Sequence, residues 1–299
     1  NTAVGFEVLQ NLNFDGDGWN VAVGYEAGKV VSTGIKNTSI GARTMQATTV
    51  GQENVALGYQ AMYTNVDGSK CVAIGANALL TQDPASAVDM YNVAVGYNAG
   101  YAMTTGINNT LIGSLAGDAL TTGSGSVALG YNALGSTTTA IENVAIGINA
   151  LVANVDGAKN VAVGSYALTA LDPASATDMY NVAVGHQAGT AITTGTENTI
   201  IGGLAGDALT TATFNTLIGK AAGGALTTGG YNVAIGGLAL DAEDEHGYNV
   251  AVGYAALTNQ NAGANAYNVA VGFNAGTAIT TGTANTLIGG LTGDALTEG

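Results

Sequence analysis

The stretch NVAVGYNAG at residues 92–100 returns as NVAVGHQAG at 181–189 and as NVAVGFNAG at 268–276. Looser copies, such as NTLIGSLAG at 109–117, stand between them. Repetition at this density decides the fold class, because like units that cannot bury a core alone must stack on one another. Aligned on the Gly that follows the aliphatic residue, the units run from Gly5 to Gly289 and number seventeen. Twelve of the sixteen intervals are 17 residues. The others are 19 (5–24 and 253–272) and 21 (75–96 and 164–185). A constant period with small additions predicts a fixed coil with loops let out at one corner.

Each position of the coil has a physical reading. The residue before the Gly is Val, Ile or Leu in every unit, and two places earlier it is Val or Thr. That is a short strand whose β-branched residues suit a pleated surface. Alternate side chains point to opposite faces, and here both faces are apolar, which predicts burial on both sides. The residue between is Ala after Val (Val93-Ala94, Val161-Ala162) and larger after most Thr (Thr110-Leu111, Thr199-Ile200, Thr216-Leu217, Thr286-Leu287). We read this as one strand face giving up volume as the other gains it, the behaviour of close-packed layers.

A second compensation follows the Gly. The fourth residue after it is either Gly or Leu/Met. Where it is Gly, as at 100 and 206, the residue three further on is aliphatic, as at Met103 and Leu209. Where it is Leu or Met, that later site is usually polar, as at Asn65, Gln82 and Asn154. One interior pocket per coil is thus expected to fill from either of two chain positions. The residue four before the Gly is Asn in all but two units, which carry Cys71 and Ser126. Stacked coils would line these into a ladder that fixes turns, each Asn bonding its own turn and its neighbour. Glycines every few residues and the lack of a lasting 3.6-residue period exclude helices. The expected fold is all-β: a β-solenoid or β-roll of about seventeen coils with a 17-residue repeat.

A longer period overlies the short one. DPASAVDMYNVAVG at 83–96 matches DPASATDMYNVAVG at 172–185, and NVDGSK at 65–70 matches NVDGAK at 154–159, both 89 residues on. A five-coil block is duplicated within what reads as one repeat domain, residues 1–299. The chain opens in mid-motif and stops in mid-coil, so we expect it to belong to a longer protein.

Composition narrows the function classes. With 46 Gly and no G-X-Y period the chain is not collagen, and its Val, Ile, Leu and Ala content is too high for disorder. Six Lys+Arg against 21 Asp+Glu, a net charge of −15, argue against nucleic acid and against an anionic membrane surface. Recurrent Asn, Thr and Gly argue against membrane insertion of the uncharged stretch 91–117. The lone Cys71 forms no internal disulfide.

The chemical inventory is thin. No G-x-S-x-G, P-loop or zinc-spaced Cys/His set is present, so no catalytic residue, cofactor or metal site is assigned and the chain is not read as an enzyme. His186 takes a variable surface slot. The acidic loops DAEDEHG at 241–247 and DGDG at 15–18 read as solvated turns, since neither has the spacing of a calcium loop. Asp118, Asp207 and Asp294 recur in GDAL, which reads as turn chemistry. Binding is expected on the let-out corners, because loops escape the stacking constraint. Asp83, Pro84, Asp89, Met90 and Tyr91 recur as Asp172, Pro173, Asp178, Met179 and Tyr180 and would present one small surface twice. Tyr25, Tyr59, Tyr97, Tyr131 and Tyr254 share the slot after the Gly, an aromatic strip able to stack on sugars.

The segments NTAVG at 1–5, NVALG at 54–58, NVAIG at 143–147 and NTLIG at 285–289 resemble two kinds of protein. One is the head of trimeric autotransporter adhesins, with its β-roll repeats. The other is the group of phage and bacterial fibre proteins with NTAVG-type repeats. The resemblance covers essentially the whole chain. It implies a homotrimer and an extracellular, structural or adhesive fibre segment: a rigid trimeric rod presenting loops to a host-surface glycan or protein. Two alternatives are an ice-binding solenoid, suggested by TTG at one corner (104–106, 121–123, 193–195), and a polysaccharide-cleaving tailspike.

Overall fold

The computed structural model describes residues 1–13 and 16–298, which form strands and turns without a helix. The chain divides into two compact units, 1–145 and 146–299. In the first, eight three-residue strands from Thr2–Val4 to Val127–Leu129 form one parallel ladder. In the second, eight more from Val161–Val163 to Thr286–Ile288 do the same. A further strand, Val144–Ile146, spans the division. Each of these three-residue strands is the run just before a motif Gly, and register runs like on like, as in Val93↔Thr110, Ala94↔Leu111 and Val95↔Ile112. The expected β-solenoid of about seventeen turns is the observed architecture.

The rest of the coil is laddered as well. Beyond the strand, Asn98 N–H donates to Ala76 O at 3.0 Å, Gly100 to Ala116 at 2.9 Å, Ala102 to Asp118 at 2.9 Å and Thr104 to Thr121 at 2.9 Å. The turns therefore exchange backbone bonds with neighbouring coils instead of leaving them to water. Three positions per coil take left-handed backbone: the second and fourth after the Gly and the fifth before it, as at Asn77, Leu79 and Tyr91. Such a conformation costs an L-residue roughly 1–2 kcal/mol, so stacking must hold it in place.

The core lies within the coil. The middle strand residue and the third residue after the Gly are fully buried, as at Ala94 and Ala99 or Ala234 and Ala239. The two-position pocket is as expected: Leu79, Leu134 and Leu151 fill it from the fourth position, and Met103, Leu120, Ile192 and Leu209 from the seventh. The other compensation needs a different explanation. The large middle residues answer the glycines and not their Thr neighbours. A Cβ on Gly100 or on Gly117 would lie 2.9 Å from a Leu111 methyl, and Leu217 stands likewise between Gly206 and Gly223 at 2.8 and 2.9 Å. Leu111 grows because its own coil and the one before it have both shed a side chain at that height.

The Asn column is an internal ladder. Asn20 Oδ1 accepts the Asn37 N–H at 2.8 Å, and Asn20 Nδ2 donates to Gly34 O of its own coil at 2.9 Å. The pattern repeats at Asn37, Asn54, Asn92, Asn109 and on through the second unit. At the two exceptions other groups take over. Ser126 Oγ accepts from Asn143 N–H at 3.2 Å, while the Gln82 side chain donates to Cys71 Sγ at 3.2 Å and accepts from Asn92 Nδ2 at 3.1 Å.

Burial on both strand faces is not what the chain shows. The middle residue points inward, but its two neighbours point outward and are half-buried or exposed; Val55 is 39% and Leu57 43% accessible. A three-residue strand in a solenoid wall has one interior, so its alternate residues face outside it.

Candidate functional site

The enlarged corners form a small structure of their own. Val88–Asp89 pairs in parallel with Gly68–Ser69, and Thr177–Asp178 pairs with Gly157–Ala158. Beside each, three polar groups close on one another. Lys70 Nζ lies 2.6 Å from Asp89 Oδ2, the Tyr91 hydroxyl donates to the same oxygen at 3.1 Å, and the ammonium sits 5.3 Å from the Tyr91 ring centre. Lys159, Asp178 and Tyr180 repeat the arrangement at 2.6, 3.1 and 5.4 Å. The neighbouring ammonium holds each carboxyl below its ordinary range, by a hydrogen bond first and by its charge as well.

These placements correct the expected loop surface. Met90, Met179, Pro84 and Pro173 are buried and meet no partner from outside. Met90 packs behind the corner, where a Cβ on Gly68 would come 2.9 Å from its sulfur, and Pro173 lies 3.1 Å from the same point on Gly157. Asp83 and Asp172 are exposed, and each accepts a backbone N–H of the preceding coil, from Val66 at 3.3 Å and Val155 at 3.2 Å. What the corner offers to solvent is Ala85 to Val88 and 174–177, with Asp89, Tyr91, Asp178 and Tyr180 already tied to lysines.

The tyrosines after the Gly stand outside the wall, as expected; Tyr97 and Tyr131 are exposed. They belong to a broader surface than a tyrosine strip. The residues three before, one before and one after the Gly all face outward, so rows such as Val55–Leu57–Tyr59, Val127–Leu129–Tyr131 and Val269–Val271–Phe273 make a wide apolar face. A second aromatic column went unread in the sequence. Phe214, Tyr231, Tyr248 and Tyr267, five before the Gly, stack at 5.0, 5.1 and 5.1 Å between ring centres. Their spacing of 17, 17 and 19 residues is the signal that would have found them. Rings stacked face to face present edges outward, so the interior of this column offers no face to a sugar.

The TTG corner divides its hydroxyls. The first Thr donates to the carbonyl of the next coil, Thr104 to Thr121 at 3.2 Å and Thr193 to Thr210 at 3.3 Å. The second, at Thr105, Thr122, Thr194 and Thr228, is exposed. One exposed threonine per coil gives a single file.

His186 is exposed and meets Tyr166 edge-on at 6.2 Å. Asp15 of the DGDG turn lies outside the described residues. The other acidic loop is no solvated turn throughout: Glu243 is fully buried and its Oε1 accepts the His246 N–H at 3.2 Å. Burial pushes its carboxyl up, with the His246 bond opposing. A shallow groove of about 270 Å³ lies over Lys29, Val30, Gln46, Ala47 and Tyr63, where Glu7 and Glu26 neutralise Lys29. No described helix is long and apolar enough to cross a membrane.

No family model, curated protein or solved structure matches this chain.

The GDAL aspartates carry a testable pH dependence. Burial raises the Asp118 and Asp207 carboxyls above 3.8, and Asp118 Oδ1 has no partner. A raised folded value means the folded state holds the proton more tightly than the unfolded chain. Stability should therefore increase as pH falls through the raised values, and the gain is complete below 3.8. The lysine-paired Asp89 and Asp178 act oppositely, but their loss comes only below that point. Thermal melts should rise as the pH is lowered from neutrality toward 3.8, and Asp118→Asn should flatten the rise. A melting temperature that falls steadily over this range would refute the assignment.

Proposed function

We propose that the chain is a structural segment of an extracellular fibre, assembled as a homotrimer through the outer face of its strand ladder. The observation that carries this reading is that face. In all seventeen units its strand positions are Val, Ile, Leu or Thr, with no charged residue, in a chain of net charge −15. Apolar rows of this extent on a soluble protein mark an interaction surface. Their occupant is further copies of the same chain: parallel copies in register bring like rows together at every coil. The resemblance to adhesin heads and NTAVG-type fibres, from a phage tail or a bacterial surface, agrees with that assembly. Each enlarged corner is then presented three times, and equivalent loops of the three chains engage a surface glycan or protein together.

The test is sedimentation of the purified chain at micromolar concentration, beside Ile201→Asp. Ile201 faces outward and is 38% accessible, so the charge does not enter the coil interior. The variant should keep the strand circular-dichroism spectrum and sediment as a monomer, while the parent sediments as a trimer. A parent that is monomeric at that concentration refutes the assembly.

A further inference from the structure

We infer that Glu243, Asp244 and His246 bind one divalent transition ion of the zinc class. One ligand atom from each of the three lies within 4.8 Å of the others. Glu243 occupies the seventh position after its Gly, the slot that Leu226 fills with an aliphatic side chain one coil earlier. It is fully buried, and its Oε2 has no hydrogen-bond partner. A buried carboxylate with one oxygen unmet is costly in such a slot, and buried charges are found paired or bound to metal. Gln260, in the same slot one coil on, does not relieve it, because its own Nε2 is buried without a partner.

The imidazole supplies the second unmet group. His246 Nδ1 is buried and makes no hydrogen bond, and it stands 3.4 Å from Glu243 Oε1. The turn that carries the three residues is pinned to earlier coils at both ends. Thr227 donates its N–H and its hydroxyl, the latter at 2.9 Å, to Asp244 O, and Asn232 Nδ2 donates to His246 O at 3.2 Å. Asp244 Oδ1 accepts the Glu245 N–H at 2.7 Å, which leaves its other oxygen for a ligand. One imidazole nitrogen with two carboxylates suits a borderline ion such as Zn²⁺ or Co²⁺ better than Ca²⁺, which takes six or more oxygens. Asp244 and His246 are part-exposed, so the ion has an entry path.

The experiment titrates the full chain with Zn²⁺ and with Co²⁺. Heat reports stoichiometry, and the Co²⁺ visible bands report nitrogen and oxygen coordination. One equivalent should bind. Glu243→Gln and His246→Ala should each weaken binding at least ~10-fold. Glu245→Gln removes an exposed charge next to the site and should leave binding unchanged. Because Glu243→Gln also removes a buried acid, it should melt higher than the parent without metal and lose the metal-induced rise. The proposal is overturned if no saturable equivalent binds, if Glu243→Gln binds as the parent does, or if Glu245→Gln weakens binding equally, which would mark diffuse attraction to an acidic chain.

Discussion

Gly202→Ala should destabilise the chain by roughly 3–5 kcal/mol, while Gly203→Ala, one residue on, should leave it unchanged or slightly more stable. The two glycines differ in what stands over them. Gly202 has φ +140, and a Cβ there would lie 2.5 Å from the Gly219 carbonyl carbon of the next coil. That atom is backbone and cannot step aside without breaking the ladder. The same collision recurs down the column: a Cβ on Gly24 meets Gly41 O at 2.5 Å and one on Gly41 meets Gly58 O at 2.6 Å. At Gly203 the nearest atom would be His186 O at 3.9 Å, an ordinary contact. Denaturant unfolding followed by circular dichroism compares the pair directly. Equal midpoints for the two variants would show that coils approach less closely at this corner than described.

Asn215→Ala should cost about 2–5 kcal/mol, since it strands two buried backbone partners. Asn215 Oδ1 accepts the Asn232 N–H at 2.9 Å, and its Nδ2 donates to Gly229 O at 3.0 Å. Asn215→Ser should recover a substantial part of the loss, because Ser126 already serves this slot by accepting the next coil's N–H at 3.2 Å. The serine cannot reach the carbonyl, so recovery is incomplete. If alanine and serine unfold at the same denaturant concentration, the inter-coil bond contributes little and the ladder is incidental to stability.

The candidate sites were less legible than the fold. Recurrence of Asp83 to Tyr91 at 172–180 marked a duplicated corner but not which way its side chains point. Met90 and Pro84 went inward, since an enlarged coil must fill the extra interior that it encloses. Asp89 and Tyr91 were spoken for by Lys70, which lies a full coil away in sequence. Glu243 was hidden for the same reason: beside Asp244 and Glu245 it reads as one more exposed acid, and only its place in the coil puts it in the core.

The amino-acid sequence by itself determined the coil: its 17-residue length, the strand before each Gly, the Asn ladder and the pocket filled from either of two positions. These are legible because each is a relation between a residue and its copy one period away, and stacking turns that separation into contact. Tertiary structure alone decided which residues at one height share a volume, and which strand face meets the interior. Leu111 answers Gly117 of its own coil and Gly100 of the coil before, and Val55 and Leu57 face outward although their composition is that of a core. Hydrophobicity states that a side chain gains by leaving water, but the closing of the coil decides where it can do so.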